Sequence, residues 1–517
     1  ERDYGLQANP AYFEQLPTLE NGGAQLNDGG TPDDRSDDQL TVTYKIRPGL
    51  KWSDGEPLTA HDWVFATQVA ADPESGVVSY NIWERIERYE ALDDLTLQVT
   101  LKPGIFDPLY PTLYDPFNLK APMPRHAWSQ YSPAQMPFVE EVARLSRPNY
   151  GPYTVAEWVA GDYLRLVANP YYHGAPDKPL IKEIIFRFIA DPNQLLAQLA
   201  LGEVDVAAND SLSATQAPLL EQFEKQGAFR VYWIPSTTWE HLDFNLNAPS
   251  AVNADPQYLT EPHPILSDSN VRQAIAYGTD RQAMVDVLYY GKTQVMHTFI
   301  PQSGWAYAGD EHITIYNYDP QRAVELLEAA GWVDANGDGV REKKGVRLSL
   351  RIGYTAESPL RERLAQLFQQ NMRDIGLEIV LDPLPTGVWY ASDGPLLRRN
   401  FDIAEYAFQG TLDPGGGTLY RCDQIPTPAN NWTGQNVMGW CNEKASNAVV
   451  AANNTLIQQE RIDNYLIVQQ EFTRDMVSLP LFNRLDIYAS TPDLLHFQPN
   501  PTEYVTWNIA EWDKPGR

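Results

Sequence analysis

Cysteine is almost absent from this 517-residue sequence, with only Cys422 and Cys441 present. No Cys-x-x-Cys pair exists, which argues against a cysteine-built zinc site. The eight histidines are spread singly along the chain, and no His-x-x-x-His pair offers a zinc helix or an imidazole cluster for nickel. No apolar run approaches the roughly eighteen residues that a membrane-spanning helix needs. The opening segment shows no charged-then-apolar leader. The chain begins on Glu1 and not on methionine, so removal of a leader or lipid-anchored segment is compatible with export. Basic residues are scarce: 39 Lys+Arg stand against 68 Asp+Glu, for a formal net charge of −29. Such a chain is a poor partner for nucleic acid phosphates. Missing too are a Gly-x-Ser-x-Gly elbow and a phosphate loop, which removes the commonest local signs of hydrolase or nucleotide chemistry.

What is present is enough apolar material for more than one core. At 43% hydrophobic and 11% aromatic, a chain of this length is expected to split into two globular lobes. The two cysteines lie close together in a Gly-, Pro- and Asn-rich stretch. Their spacing suits one local bridge, worth about 3 kcal/mol for a loop of about twenty residues in an oxidising compartment. The other reading is two unpaired small hydrophobes.

The first forty or so residues are polar and turn-rich, and regular structure is expected from Leu40 onward, where 40–46 alternates as a half-buried strand. Further strands read at 96–102, 163–167 and 183–189. From about residue 190 the helix punctuation is clear: Asp191 caps, Pro192 enters the first turn, and Leu195, Leu196 and Leu199 line one face before Gly202. Asp268 or Ser269, Asp280 and Asp319 open three further helices. A strand over 347–353, a helix over 359–374 and a strand over 377–381 make a βαβ unit. A parallel sheet takes ligands at the carboxyl ends of its strands, so the loops after residue 382 are candidate site material. No internal repeat is visible.

The segment KIRPGLKWSDGEPLTAHDW, residues 45–63, reads as strand, Asp54-Gly55 turn and helix start, with Asp62 in the first helical turn. It resembles the signature of the solute-binding proteins that serve peptide and nickel ABC importers. Residues 149–173 (NYGPYTVAEWVAGDYLRLVANPYYH), 199–207 (LALGEVDVA), 268–285 (DSNVRQAIAYGTDRQAMV), 330–339 and 401–408 resemble the same family, so the likeness covers nearly the whole chain. It implies an α/β, two-lobed periplasmic-binding-protein-like fold, with mixed sheets flanked by helices and an extra subdomain in lobe I. Lobe I would comprise 1–40, 150–237 and 483–517, the subdomain 41–149, and lobe II 238–482. The hinges would lie at 238–241 and 481–484, with ligand engulfed as the lobes close.

Site residues follow from the resemblance position by position. Trp389 matches a tryptophan that packs on the ligand, and Phe408 takes an aromatic wall position. Asn209 and Asp210 follow the GEVDVA strand toward the cleft, Tyr80 and Trp83 fall in a subdomain loop that closes over the ligand, and Asn483 lies at the second hinge. For each aromatic the competing reading is ordinary core packing. Peptide receptors usually place an aspartate shortly after the aromatic wall to hold the ligand's α-amine. Here Thr411 stands at that position and Asp413 is the nearest acid. A buried ammonium without a partner is costly, so the ligand class stays open between a peptide and an oligosaccharide, which stacks on aromatics and needs no charged anchor.

In DANGDGVRE, Asp334, Asn336 and Asp338, the Val340 carbonyl and Glu342 form the pattern of half a calcium loop, although Gly345 replaces the usual closing glutamate. The alternative is a polar turn. No cofactor is otherwise expected. The expected protein is not an enzyme but the monomeric, extracytoplasmic binding component of an ABC importer, periplasmic or lipid-anchored, with permease and ATPase partners. A secreted glycoside hydrolase is the enzyme alternative, on size, acidity and aromatic content alone.

Overall fold

Alternating burial builds the first sheet of the computed structural model, which describes residues 12–29, 35–75, 85–112, 121–174, 177–208, 211–249, 261–411 and 413–515. Four antiparallel strands, β1 (Ala24–Asn27), β2 (Gln39–Lys45), β3 (Ile86–Asp93) and β4 (Thr96–Leu101), lie in the order β1-β2-β4-β3. Leu40, Val42 and Tyr44 of β2 turn inward against Leu97, Val99, Leu101, Trp52 and Trp63. Regular structure thus starts earlier than residue 40: Phe13 bridges to Ile46, and β1 pairs with β2. Four residues are too short a stretch to show a periodicity, and β1 exists because β2 offers it a ladder.

The 45–63 motif is a structural knot. Gly55 sits at φ 94° and closes its turn onto Trp52 O at 2.9 Å, a backbone region that favours glycine. The buried Asp62 carboxylate accepts from the amides of Thr59 and Arg125, both at 2.9 Å, and from the Trp52 indole N–H at 3.3 Å. It therefore ties the start of the helix Ala60–Ala71 to two distant segments.

Three antiparallel strands, β5 (Tyr153–Val159), β6 (Tyr163–Ala168) and β7 (Glu183–Arg187), form a second sheet. One face packs on Tyr488, Phe497 and Trp512, so the C-terminal tail returns to this sheet. The third sheet has six strands in the order β13-β12-β14-β9-β15-β8. Its members are β8 (Val206–Ala207), β9 (Arg230–Phe244), β12 (Ser349–Thr355), β13 (Glu378–Leu384), β14 (Ile403–Gln409) and β15 (Ser478–Ser490), with a small ribbon of β10 (Glu342–Lys343) and β11 (Val346–Arg347) beside it. β12 runs parallel to both β13 and β14. The helix Pro359–Asp374 connects β12 to β13 and buries Leu364, Phe368 and Met372, completing the βαβ unit.

The helix caps follow the acidic residues that mark them. Side-chain oxygens of Asp191, Asp268, Asp280 and Asp319 accept from amides in their own first turns, as capping chemistry requires. Cys422 and Cys441 are joined by a disulfide with a Cα separation of 4.6 Å, just ahead of the Asn442-capped helix Glu443–Ala452.

Candidate functional site

The carboxyl ends of β12, β13 and β14 open onto three connections, of which the second carries Trp389 and the third Asp413. After β12, Ser358 caps the helix Pro359–Asp374 and places Arg361 in its first turn. Glu357 accepts from the Thr386 amide at 3.0 Å and its hydroxyl at 2.8 Å, which fastens this connection to the one after β13. That second connection is the short helix Thr386–Trp389. Trp389 is only 1% exposed and lies against Leu396, Phe401, Ala404, Tyr406 and Val437. Its ring presses on Gly353 of β12, where a Cβ atom would come within 2.6 Å of it. The chain therefore seats Trp389 in packing, with its indole N–H lacking a hydrogen-bond partner among the described residues.

Phe408 on β14 belongs to an aromatic stack. It lies 4.6 Å from the His241 ring at an interplanar angle of 9°, 5.1 Å from Tyr406 and 5.8 Å from Trp239. His241 is wholly buried on β9. Among the described residues neither of its ring nitrogens has a hydrogen-bond partner, and Nε2 stands 3.7 Å from Asp243 Oδ1. The Tyr406 hydroxyl donates to Asp243 Oδ2 at 2.5 Å, and burial beside that carboxylate raises the phenol well above its ordinary range.

Asn483 on β15 lies opposite Trp239 in the sheet register. Its Nδ2 donates to Ser236 O at 3.1 Å, and its carbonyl accepts from the Thr293 hydroxyl at 2.7 Å. The β9–β15 register slips between Pro480 and Phe482 and again between Asn483 and Leu485. Both irregularities fall within the expected 481–484 hinge, and β-bulges bend a strand. Residues 238–241 lie inside β9 and 481–484 inside β15, so both expected hinges are continuous strand and not loop.

Asp413 stands apart from this stack. Its two oxygens face Arg461 Nη2 at 2.9 and 2.7 Å, with side-chain exposures of 12% and 6% for the two partners. Arg461 also lies over the Trp305 ring, 5.0 Å from its centroid. The Thr411 hydroxyl donates to the Asp413 carbonyl at 2.6 Å. The acid nearest to the family's amine-binding position is thus already neutralised by a buried guanidinium. Asn209, Asp210, Tyr80 and Trp83 lie outside the described residues.

A further set of buried charges lies where β9, β14 and β15 meet the helix Pro359–Asp374. Glu240 and Glu405 are both 0% exposed. Arg361 Nε stands 3.6 Å from Glu240 and 3.7 Å from Glu405, while Arg484 forms a close ion pair with Glu240. Burial and the adjacent Glu240 carboxylate push the Glu405 carboxyl well above the ordinary carboxylate range, against the pull of Arg361 and Arg484. Two glutamates between two arginines make a formally balanced cluster, which is how buried charges are tolerated. The sequence reading did not single out these residues. The available signal was Glu405, an acid on the same strand face as the core residue Ile403.

The Asp334 loop is closed on itself. Asp334 accepts from the amides of Gly337 and Gly339, Asn336 from Asp338, Asp338 from Val340, and Glu342 from Ala335. Arg347 adds an ion pair to Asp338 at 2.6 Å, which holds that carboxyl below its ordinary range. Among the described residues, no group of three or more His, Cys, Asp or Glu is arranged to hold a metal ion.

Comparison with known proteins fits this arrangement. The family model of the bacterial extracellular solute-binding proteins, family 5 Middle, matches residues 30–424. The oligopeptide-binding protein AppA of Bacillus subtilis is 24% identical over 92% of this chain and 81% of its own length. The oligopeptide-binding protein from Thermus thermophilus, solved with a pentapeptide, superposes with a TM-score of 0.72 at 24% identity, covering 99% of this chain and 89% of that one. NikA from Brucella suis, solved with Fe(III)-EDTA, gives a TM-score of 0.71 at 18% identity over 95% of this chain and 92% of that one. The architecture is that of the two-lobed α/β binding proteins. The chain belongs to the family 5 bacterial extracellular solute-binding proteins.

Proposed function

We propose that this protein is the binding component of an ABC importer, capturing an oligopeptide between two lobes and delivering it to a membrane permease without chemical turnover. The observation that carries the reading is the family match across 30–424. A fold likeness that spans nearly the entire chain supports it. The bulged β9–β15 crossing gives the closing motion a place to occur, as hinge mechanisms need. An extracytoplasmic location accords with the family and with the Cys422–Cys441 disulfide. Among the described residues no helix is long and apolar enough to cross a membrane.

The Asp413–Arg461 pair favours peptides whose amine is held by other groups, since an ammonium at Asp413 would first have to displace Arg461. Native mass spectrometry of protein purified from its source is the decisive experiment, because a ligand enclosed between closed lobes leaves slowly and its mass separates peptide from sugar. A bound mass series with amino-acid spacings, together with a smaller radius of gyration than the ligand-stripped protein, is the expected result. Hexose spacings would move the ligand class to oligosaccharides. Absence of binding and of compaction with peptides, sugars and metal chelates alike would remove the receptor reading.

Calcium in the 334–342 loop is a separate proposal. The side chains of Asp334, Asn336, Asp338 and Glu342 and the Val340 carbonyl supply oxygens of the kind calcium prefers. Chelation is expected to lower the melting temperature while leaving ligand capture intact. An unchanged melting curve, with no calcium in the native protein by elemental analysis, would leave the loop as a polar turn pinned by Arg347.

A further inference from the structure

Two separate apolar cores meet at one dipeptide. The first belongs to the β1-β2-β4-β3 sheet and the helix Ala60–Ala71. The second is built largely by the antiparallel helices Glu443–Ala452 and Gln458–Asp475, packed with Trp239 and Phe299. The connection between those helices carries Asn453 and Asn454. Asn454 Oδ1 accepts from the Phe106 amide at 3.0 Å, and its Nδ2 donates to the Gly104 carbonyl at 3.2 Å. One side-chain amide thereby satisfies a donor and an acceptor of the loop that follows β4, which no other neutral side chain of this length except an amide does with two separate atoms. Leu456, two residues on, packs against the sheet's core.

Asn453 faces the other way. Its Nδ2 donates to the Gly415 carbonyl at 2.9 Å, and its Oδ1 accepts from the Tyr465 hydroxyl at 2.9 Å. The Gly415 amide in turn donates to Asp413 Oδ1 at 3.2 Å. The adjacent asparagines therefore join the loop of Asp413 to the loop of Gly104 and Phe106.

We propose that Asn454 is a positioning residue for ligand capture, a latch that holds the second lobe onto the first lobe's subdomain in the closed state, and that Asn453 couples this latch to the 413–415 loop. The inference rests on the two-lobed receptor reading. In an open state, water takes over both hydrogen bonds, so each biases closure only modestly, enough to shift the balance by about tenfold and small enough to leave closure reversible.

The test uses the full chain stripped of bound solute, with backbone hydrogen exchange and small-angle X-ray scattering. In Asn454→Ala, the Phe106 amide is expected to exchange about tenfold faster, the radius of gyration to rise, and the Gly415 amide to lose a smaller part of its protection through Asn453. Asn454→Asp keeps an acceptor for Phe106 and loses the donor to Gly104, so its compaction should fall between the two. In Asn453→Ala, the Gly415 region should loosen first. Unchanged compaction and unchanged Phe106 exchange in both Asn454 variants, with melting curves showing folded protein, would overturn the latch. No added ligand is needed, so this result is independent of which solute binds.

Discussion

Glu405 illustrates how one buried side chain links sequence to stability. An unfolded glutamate releases its proton near about pH 4.3, whereas burial beside Glu240 makes the folded protein hold that proton to higher pH. Above the unfolded value the folded state binds more protons, so this group's contribution to stability falls as pH rises toward its folded pKa. Glu405→Gln mimics the protonated form. It is expected to flatten that part of the pH profile, read as melting temperature from pH 5 to 9, with its largest gain over the parent at the alkaline end. A variant that melts lower than the parent at every pH would mean that the ionised carboxylate is needed to balance Arg361. Arg461 offers the opposite case, because its loss strands the Asp413 carboxylate in a site where that side chain is only 12% exposed. Arg461→Ala should cost about 3–5 kcal/mol in urea unfolding, the usual penalty for breaking a buried pair. A loss below about 1 kcal/mol, typical of surface pairs, would show that water reaches Asp413.

At the level of elements, the Cys422–Cys441 bridge is the simplest covalent constraint, closing a sequence separation of 19 residues. Reduction is expected to lower stability by about 3 kcal/mol through the freed loop. Alkylation and intact mass of the unreduced, exported protein should find both cysteines blocked. The elements that were legible in the sequence are those governed by local rules. The caps at Asp191, Asp268, Asp280 and Asp319 hold through bonds within a few residues, and the helix Pro359–Asp374 has the limits its periodicity predicts. β1 was not legible, since its existence depends on a partner strand that begins twelve residues later. The site was legible in the same uneven way. Phe408 stands in an aromatic cluster, but the identity of its stacking partner, His241, is set by the β14–β9 register. The pairing of Asp413 with Arg461 spans 48 residues, and that of Glu240 with Arg484 spans 244. No local pattern encodes either, because such contacts exist only once the strands and helices have been brought together.

Across the whole molecule, the distribution of cores decides which parts move as units. The largest apolar cluster contains Leu195, Leu199, Leu220 and Phe229 from before the first strand crossing, and Leu242, Leu350, Phe368 and Ile487 from beyond it. The two sides of the expected crossing are therefore joined by buried surface as well as by β9 and β15, and the proposed closure would have to bend the bulged strands without opening that core. The sheet built around Trp52 and Trp63 has a core of its own. The clusters around Phe472, Phe497 and Trp389 share Trp239, Tyr488 and Tyr406 with the six-stranded sheet, so two cooperative units are expected: the body that contains that sheet, and the β1-β2-β4-β3 subdomain. Calorimetry of the ligand-stripped protein should resolve no more than these two transitions, because residues that share a core lose it together. A tightly held solute stabilises only the state that binds it, by about 2.7 kcal/mol at a hundredfold excess over Kd. If capture involves both units, solute should raise both transitions and draw them together, whereas a site confined to the large body would raise only the body's. Separate melting of the parts before residue 237 and after residue 238 would contradict the shared core and would require the crossing strands to join two independently folded lobes.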